Sequence, residues 1–474
     1  MKAYVLPSGK RIAPFGDPVS ESMIGNERLV DIQRRVMGAA GLDVVFVESV
    51  AEIMDRRFVL TYDDVFFTKR VFDDLMRQAK GGGGLRCGLP AESLLVKRTR
   101  PLQELDEAEV DGEKLALYRL YVLEGDSVPG SEAELKQLMV AARPVRARFK
   151  EKVIGVPTPP NIVGYSHYEH PVTSSVVMEI GHWVHLLWAN QLSIQIHWVE
   201  TILGRKFWTA GKLLATGFGG LLSGARVPGF KWSAAKRFNR IGRNCDIHPT
   251  ARLEFCQLGD NVRVGAYALV RGSLLDDNVQ IEDRANVIFS VIGHDCFISK
   301  NSTLVFCAGY PEGDLCINGI QCTLFGRKVA MTSLVRVVDI KAKGEIQVLH
   351  EGELQSVGTN FLGACFGHEV FAGLDVTIQS GRAVPNGTVL VKNPDSILRS
   401  IPEDSPTNTP VMIEGGTTVP VPTRSTRTAP VPTRSTRTAP VPTRSTRTAP
   451  VPKRSTKAGR TRKASRQREN KSSS

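Results

Sequence analysis

None of the eight cysteines (Cys87, Cys245, Cys256, Cys296, Cys307, Cys316, Cys322 and Cys365) stands at a C-x-x-C spacing from another. That absence argues against a zinc ribbon or a disulfide framework and leaves small, reduced core residues. The first nine residues hold no apolar run of signal-peptide length, so the expected compartment is cytoplasmic. A net charge is missing from most of the chain. From Val411 onward there are 15 Lys and Arg against Glu414 and Glu469, so the formal +13 of the 474 residues sits in that tail and the preceding 410 balance. A clean membrane span is missing as well. Ile180 to Val199 has the length of one and lacks Asp, Glu, Lys and Arg, but it carries three histidines, Asn190, Gln191, Ser193 and Gln195. Such polar groups are costly in hydrocarbon, and a packed helix with a wet face fits better.

What is present begins as an α/β pattern. A strand at Ala3–Leu6 leads to a loop with a single glycine, "PSGKR". A helix pattern with Leu29, Ile32 and Val36 on one face follows, with Asn26 as N-cap and Gly41 as stop, and then a strand at Val44–Val47. A strand, helix, strand unit implies a parallel sheet whose natural ligand position is the loop after the first strand. A third strand, Phe58–Tyr62, ends in Asp63 and Asp64, and Thr68 caps another helix. Glu179, His182 and His185 recur at a helical spacing that would admit a metal or form a polar helix face. Residues 213–225 read as a connector.

From Ile241 to Ala308 the chain repeats every 17 residues as steps of six, six and five: IGRNCD, IHPTAR, LEFCQ, then LGDNVR, VGAYAL, VRGSL, and two coils more. A repeat of this kind chooses the fold ahead of local propensity. It predicts a triangular prism of stacked coils about 4.8 Å apart. Ile241, Leu258, Leu275 and Ile292 form one internal ladder and Ile247, Val264, Ile281 and Ile298 another; Cys256, Ser273, Ser290 and Cys307 form a third place that demands a small side chain. Residues 309–356 break the period as a loop insertion would, and FGHEVF, AGLDVT, IQSGRA resume it.

This pattern resembles the hexapeptide-repeat, left-handed β-helix family, in which a sugar-1-phosphate nucleotidyltransferase domain often precedes the prism. The resemblance implies a reduced nucleotidyltransferase-like α/β domain at 1–150, a helical connector at 151–240, an all-β left-handed parallel β-helix at 241–400 and a disordered basic Pro/Arg/Thr tail at 401–474. Where the family has a G-G-x-G-T-R loop this chain has Gly9, Lys10 and Arg11, which would face the phosphates of a nucleoside triphosphate; Asp63 or Asp64 would hold Mg²⁺. Acyltransferase members assemble as trimers, bind coenzyme A along the coils and place a histidine base between neighbouring prisms. On that model His350 is the first candidate and His368 the second.

The expected function is a transferase of sugar-nucleotide or envelope-polysaccharide metabolism, by nucleotidyl or acyl transfer, acting on a sugar phosphate or nucleotide sugar. The alternative is a non-catalytic trimeric scaffold or regulator. The tail repeats VPTRSTRTAP three times, a proline-punctuated polycation suited to nucleic acid, anionic lipid or acidic polysaccharide. A protein held at a membrane surface by the Ile180 helix and this tail is the third reading.

Overall fold

The structure, a computed structural model, describes residues 1–158, 160–163, 166–204, 238–315, 319–406 and 410–421. The expected connector at 213–225 and the repeats of the basic tail lie outside the described residues. Among the described residues no helix is long and apolar enough to cross a membrane.

The N-terminal half is a mixed sheet with helices. Strand β1 (Lys2–Leu6) runs parallel to both β2 (Asp43–Phe46) and β3 (Arg57–Tyr62), so it sits between them. Helix α1 (Leu29–Gly38) makes the crossover from β1 to β2 and buries Leu29, Ile32 and Val36, the face read from the sequence. Asn26 does not cap it. Arg28 takes the N-cap position, and the Asn26 side chain instead donates to the Ile292 carbonyl of the prism. After β4 (Val65–Phe67) and α2 (Lys69–Gln78), the sheet is extended by β5 (Leu85–Pro90), the long antiparallel β6 (Glu113–Glu124) and β7 (Arg143–Arg146), with the helix α3 (Leu94–Thr99) following β5. Part of the expected connector also belongs here, because β8 (Val177–Glu179) pairs back onto β4.

The C-terminal half is a parallel β-helix. Two of its faces carry eight strands each and the third carries five. Leu258 pairs with Leu275 and Leu275 with Ile292, the 17-residue step read from the sequence. Corners turn through left-handed residues that recur with the coils: Asn244, Asn261, Asn278 and Asp295 at one, Tyr267, Arg284 and Asn301 at another, Phe255, Gly272, Phe289 and Phe306 at the third. Asn and Asp tolerate that conformation, and Gly272 is needed twice over, since a Cβ there would meet the Phe289 ring at 2.5 Å. The small residues one place on are buried and bonded. Ser273 Oγ donates to the Arg271 carbonyl and accepts from the Ser290 amide, and Ser290 Oγ accepts from the Cys307 amide.

Two expectations change. The ladders are core except at their first rung, where Ile241 is 51% exposed because no described coil covers it. The period also does not break at 309. Strands Ala308–Gly309, Leu324–Phe325 and Ala330–Met331 continue the stack, and the chain leaves the prism only after Val337, returning at Cys365. The excursion contains one antiparallel hairpin, Gln347–His350 with Glu353–Ser356. The sequence hides this because the coil from Ala308 to Leu324 is one residue short.

One prism face is apolar on its outside too. Leu274, Val291, Ala308, Leu324 and Cys365 point away from the interior and are buried, where the second face shows Arg263, Gln280 and Asp314. Helix α4 (Trp183–Gly204) lies across that apolar face, with Ile194 and Trp198 packing on Leu274 and Val291 and the Gln191 amide donating to the Phe306 carbonyl. Val291→Asp is expected to cost about 3 kcal/mol or more by burying an unpaired charge, whereas Gln280→Asp at the matching exposed place on the second face stays within about 0.5 kcal/mol. Urea denaturation of the two variants checks this; equal midpoints would mean that α4 does not cover the face.

Candidate functional site

Strand order reverses at β1, since the chain passes from β2 on one side to β3 on the other. In open α/β sheets that reversal opens a crevice at the carboxyl ends of the strands. Ser8, Asp63 and Asp64 stand there. The Ser8 amide donates to Asp63 Oδ1 at 2.7 Å, tying the loop after β1 to the end of β3. Burial pushes the Asp63 carboxyl up, and the Ser8 bonds pull it back in part.

Asp64 is fully buried. Its Oδ2 meets Lys10 Nζ at 3.0 Å and the Arg119 guanidinium. Arg119 comes from the middle of β6, where it is the one charge in the run LALYRLYVL. It lies over the Tyr62 ring with its carbon 4.7 Å from the centroid, and its Nε donates to Glu179 Oε2 at 2.8 Å. Glu179 ends β8, accepts the Arg119 amide as well, and is buried; burial pushes its carboxyl up against the pull of Arg119. For Arg119 desolvation opposes the charge, but Glu179 and Asp64 outweigh it and hold its pKa above the ordinary value. The result is a chain of alternating charges, Lys10, Asp64, Arg119, Glu179, open to water only at its Lys10 end (43% exposed) and partly at Arg119 (24%).

Four residues beyond Glu179, helix α4 begins at Trp183. The Gly181 amide donates to His185 Nδ1, so His185 carries its proton on Nε2 and donates to the Pro101 carbonyl at 2.8 Å. The Val184 amide donates to His182 Nδ1, and His182 Nε2 donates to the Leu349 carbonyl of the prism hairpin. Both rings are therefore spent on backbone and Glu179 on Arg119, which leaves none of the three for a metal. Burial pushes His185 down to about 3 and His182 to about 4. His350, on that hairpin, meets the His182 ring edge-on at 5.5 Å, with Glu351 4.0 Å from its Nε2.

The residues picked from sequence thus divide. Lys10, Asp63, Asp64 and His350 gather around the end of the sheet and the start of α4. Gly9 adopts φ +69° with open space where a Cβ would stand, so it serves the turn rather than a close approach. Arg11 turns back to donate to the Gly16 carbonyl, closing its own loop. His368 belongs to a separate contact between that loop and the prism. Its Nδ1 accepts from the Arg327 amide, its Nε2 donates to Asp17 Oδ2 at 2.9 Å, and Phe15 stacks on it at 4.8 Å. A ring bonded on both nitrogens and covered by an aromatic is a fastener. Burial lowers its pKa and keeps it neutral.

The Mg²⁺ implied by the resemblance needs several converging oxygen ligands. Asp63 Oδ1 is taken by an amide and Asp64 Oδ2 by two cations, leaving Asp64 Oδ1 as a lone uncommitted buried oxygen. Among the described residues no group of three or more His, Cys, Asp or Glu could hold a metal ion. These residues do not fit a magnesium site, and no step is drawn through one. Arg119 went unnoticed in the sequence, although a single arginine inside an apolar strand is its signal. Comparison with known protein families and with curated proteins finds no match to this chain.

The two buried histidines make stability pH-dependent. Each is neutral when folded and titrates near 6.5 when unfolded, so below pH 6.5 the unfolded chain binds protons that the fold refuses. Stability is fully present above pH 6.5 and falls by about 2–3 kcal/mol per histidine by pH 4.5. The raised Glu179 carboxyl works the other way and offsets part of this. Denaturation midpoints at pH 7.5 and 5 are expected to differ less in His185→Gln, which keeps both hydrogen bonds; an unchanged difference would show that His185 is not buried neutral.

Proposed function

We propose that the chain is a transferase-like protein of sugar-nucleotide or envelope-polysaccharide metabolism whose α/β end binds a phosphate-bearing substrate, a sugar phosphate or nucleotide sugar, at the Lys10 end of the charge chain. The observation that carries this reading is Asp64, fully buried at the strand-order reversal with Lys10 and Arg119 on one oxygen. Two cations held by one carboxylate at the mouth of a crevice can turn toward an incoming phosphoryl group, and the first turn of α4 adds its partial positive charge from the same side. In this reading Lys10 and Arg119 bind and orient the phosphate, while His350 is the group best placed to take a proton from an acceptor hydroxyl. The prism is then a left-handed β-helix of the hexapeptide type, and its homotrimer would use the two faces that α4 leaves open.

A second reading, the non-catalytic trimeric scaffold, is favoured by the fate of the loop after β1. Phe15 and Asp17 on that loop are committed to Tyr310, His368 and Arg327 of the prism. A thermal-shift titration of the full chain against a nucleotide sugar, a sugar 1-phosphate, a nucleoside triphosphate and acetyl coenzyme A separates the two. A saturable rise with a sugar phosphate or nucleotide sugar, weakened at least tenfold in Lys10→Ala, is expected. No rise with any of them, in a chain found to be trimeric by light scattering, would leave the scaffold.

A further inference from the structure

A large apolar cavity lies away from the charge chain. It is a partly open space of about 320 Å³ where α3, the hairpin of Lys152–Pro157 with His167–Val172, the middle of α4 and the prism excursion meet. Its walls are apolar, with Leu95, Trp188, Leu192, Phe306, Phe361 and Leu362 the main surfaces. That size is at the lower end of small-ligand pockets.

One cation faces this space. The Arg98 guanidinium lies over the Tyr168 ring, its carbon 4.1 Å from the centroid, and Nη1 donates to the Tyr168 hydroxyl at 2.6 Å. Its Nε is buried without a partner. Among the described residues no carboxylate lies within 4.0 Å of Arg98. His170, also on the wall, has its proton affinity lowered by burial first and by the Arg98 charge second, so it supplies no negative charge. The remaining polar walls are occupied. Gln191 donates to the Phe306 carbonyl, Thr99 donates to the Leu95 carbonyl, and Thr359 accepts from the Phe361 amide.

An arginine without a counter-charge at the edge of an apolar cavity is costly when empty and favourable when an anion pairs with it. Its planar fork matches a carboxylate, which can accept two parallel N–H bonds. We infer that this cavity is a binding site for an apolar monocarboxylate, with the carboxylate on Arg98 and the alkyl or aryl body among Trp188, Leu192 and Phe361. The inference is independent of the phosphate site, whose residues it does not share.

The test is calorimetric titration of the full chain with octanoate and 1-naphthoate, with octanol as the uncharged twin. Saturable 1:1 binding of at least one carboxylate, at least tenfold tighter than octanol, is expected. Arg98→Gln should abolish that preference, and Arg98→Lys, which keeps the charge but loses the fork, should retain part of it. Leu192→Trp, which fills the cavity, should remove binding of both ligands while the thermal midpoint of the protein holds. If Arg98→Gln does not fold, the Leu192→Trp and Arg98→Lys results decide alone. No saturable carboxylate binding, equal binding of octanoate and octanol, or binding unaffected by Leu192→Trp overturns the inference.

Discussion

Helix α4 against the outer side of one prism face is the contact on which the other features depend. A prism of stacked coils is rigid, because each rung is hydrogen-bonded above and below and its interior is filled by aliphatic ladders. A long helix laid on that surface has little freedom left. The N-terminal end of α4 brings His185, and Glu179 and His182 just ahead of it, to the end of the α/β sheet, and its middle carries Trp188, Gln191 and Leu192 to the wall of the apolar cavity. Asn190 ties the same helix to the loop after β1, accepting from the Gly25 amide and donating to the Met23 carbonyl. One element therefore sets the geometry of both candidate sites.

The charge chain shows how burial and pairing balance. Two carboxylates and a guanidinium are taken from water, which is unfavourable for each alone, and they persist because each is paired and bonded. The Lys10 end is where that balance can change, since it is the most exposed member and a substrate anion can compete there for the same ammonium group. The His368 cluster has no such freedom: its ring is bonded at both nitrogens and stacked, and it binds the loop after β1 to the prism.

Much of the fold was legible in the residues, for a physical reason. A 17-residue period with aliphatic residues at fixed places has few structures it can satisfy, and strands as apolar as Tyr4–Leu6 or Phe58–Leu60 declare themselves. What escaped notice depended on pairings between distant segments. The outward row Leu274, Val291, Ala308 was visible as sequence, yet its meaning needs α4 beside it. Arg119 sits 55 positions from Asp64 and 60 from Glu179, and no local spacing links them. Of the two histidines chosen within or after the expected insertion at 309–356, His350 lies against His182 at the start of α4, whereas His368 is held inside a contact that only the folded loop creates.

Hydrogen exchange of the full chain, followed by mass spectrometry, tests whether α4 and the prism are one body. If they are, the amides of 186–199 exchange as slowly as those of the central coils at 258–309, and both are released together as denaturant is added. Fast exchange of α4 while the coils stay protected would contradict the docking on which both sites rest.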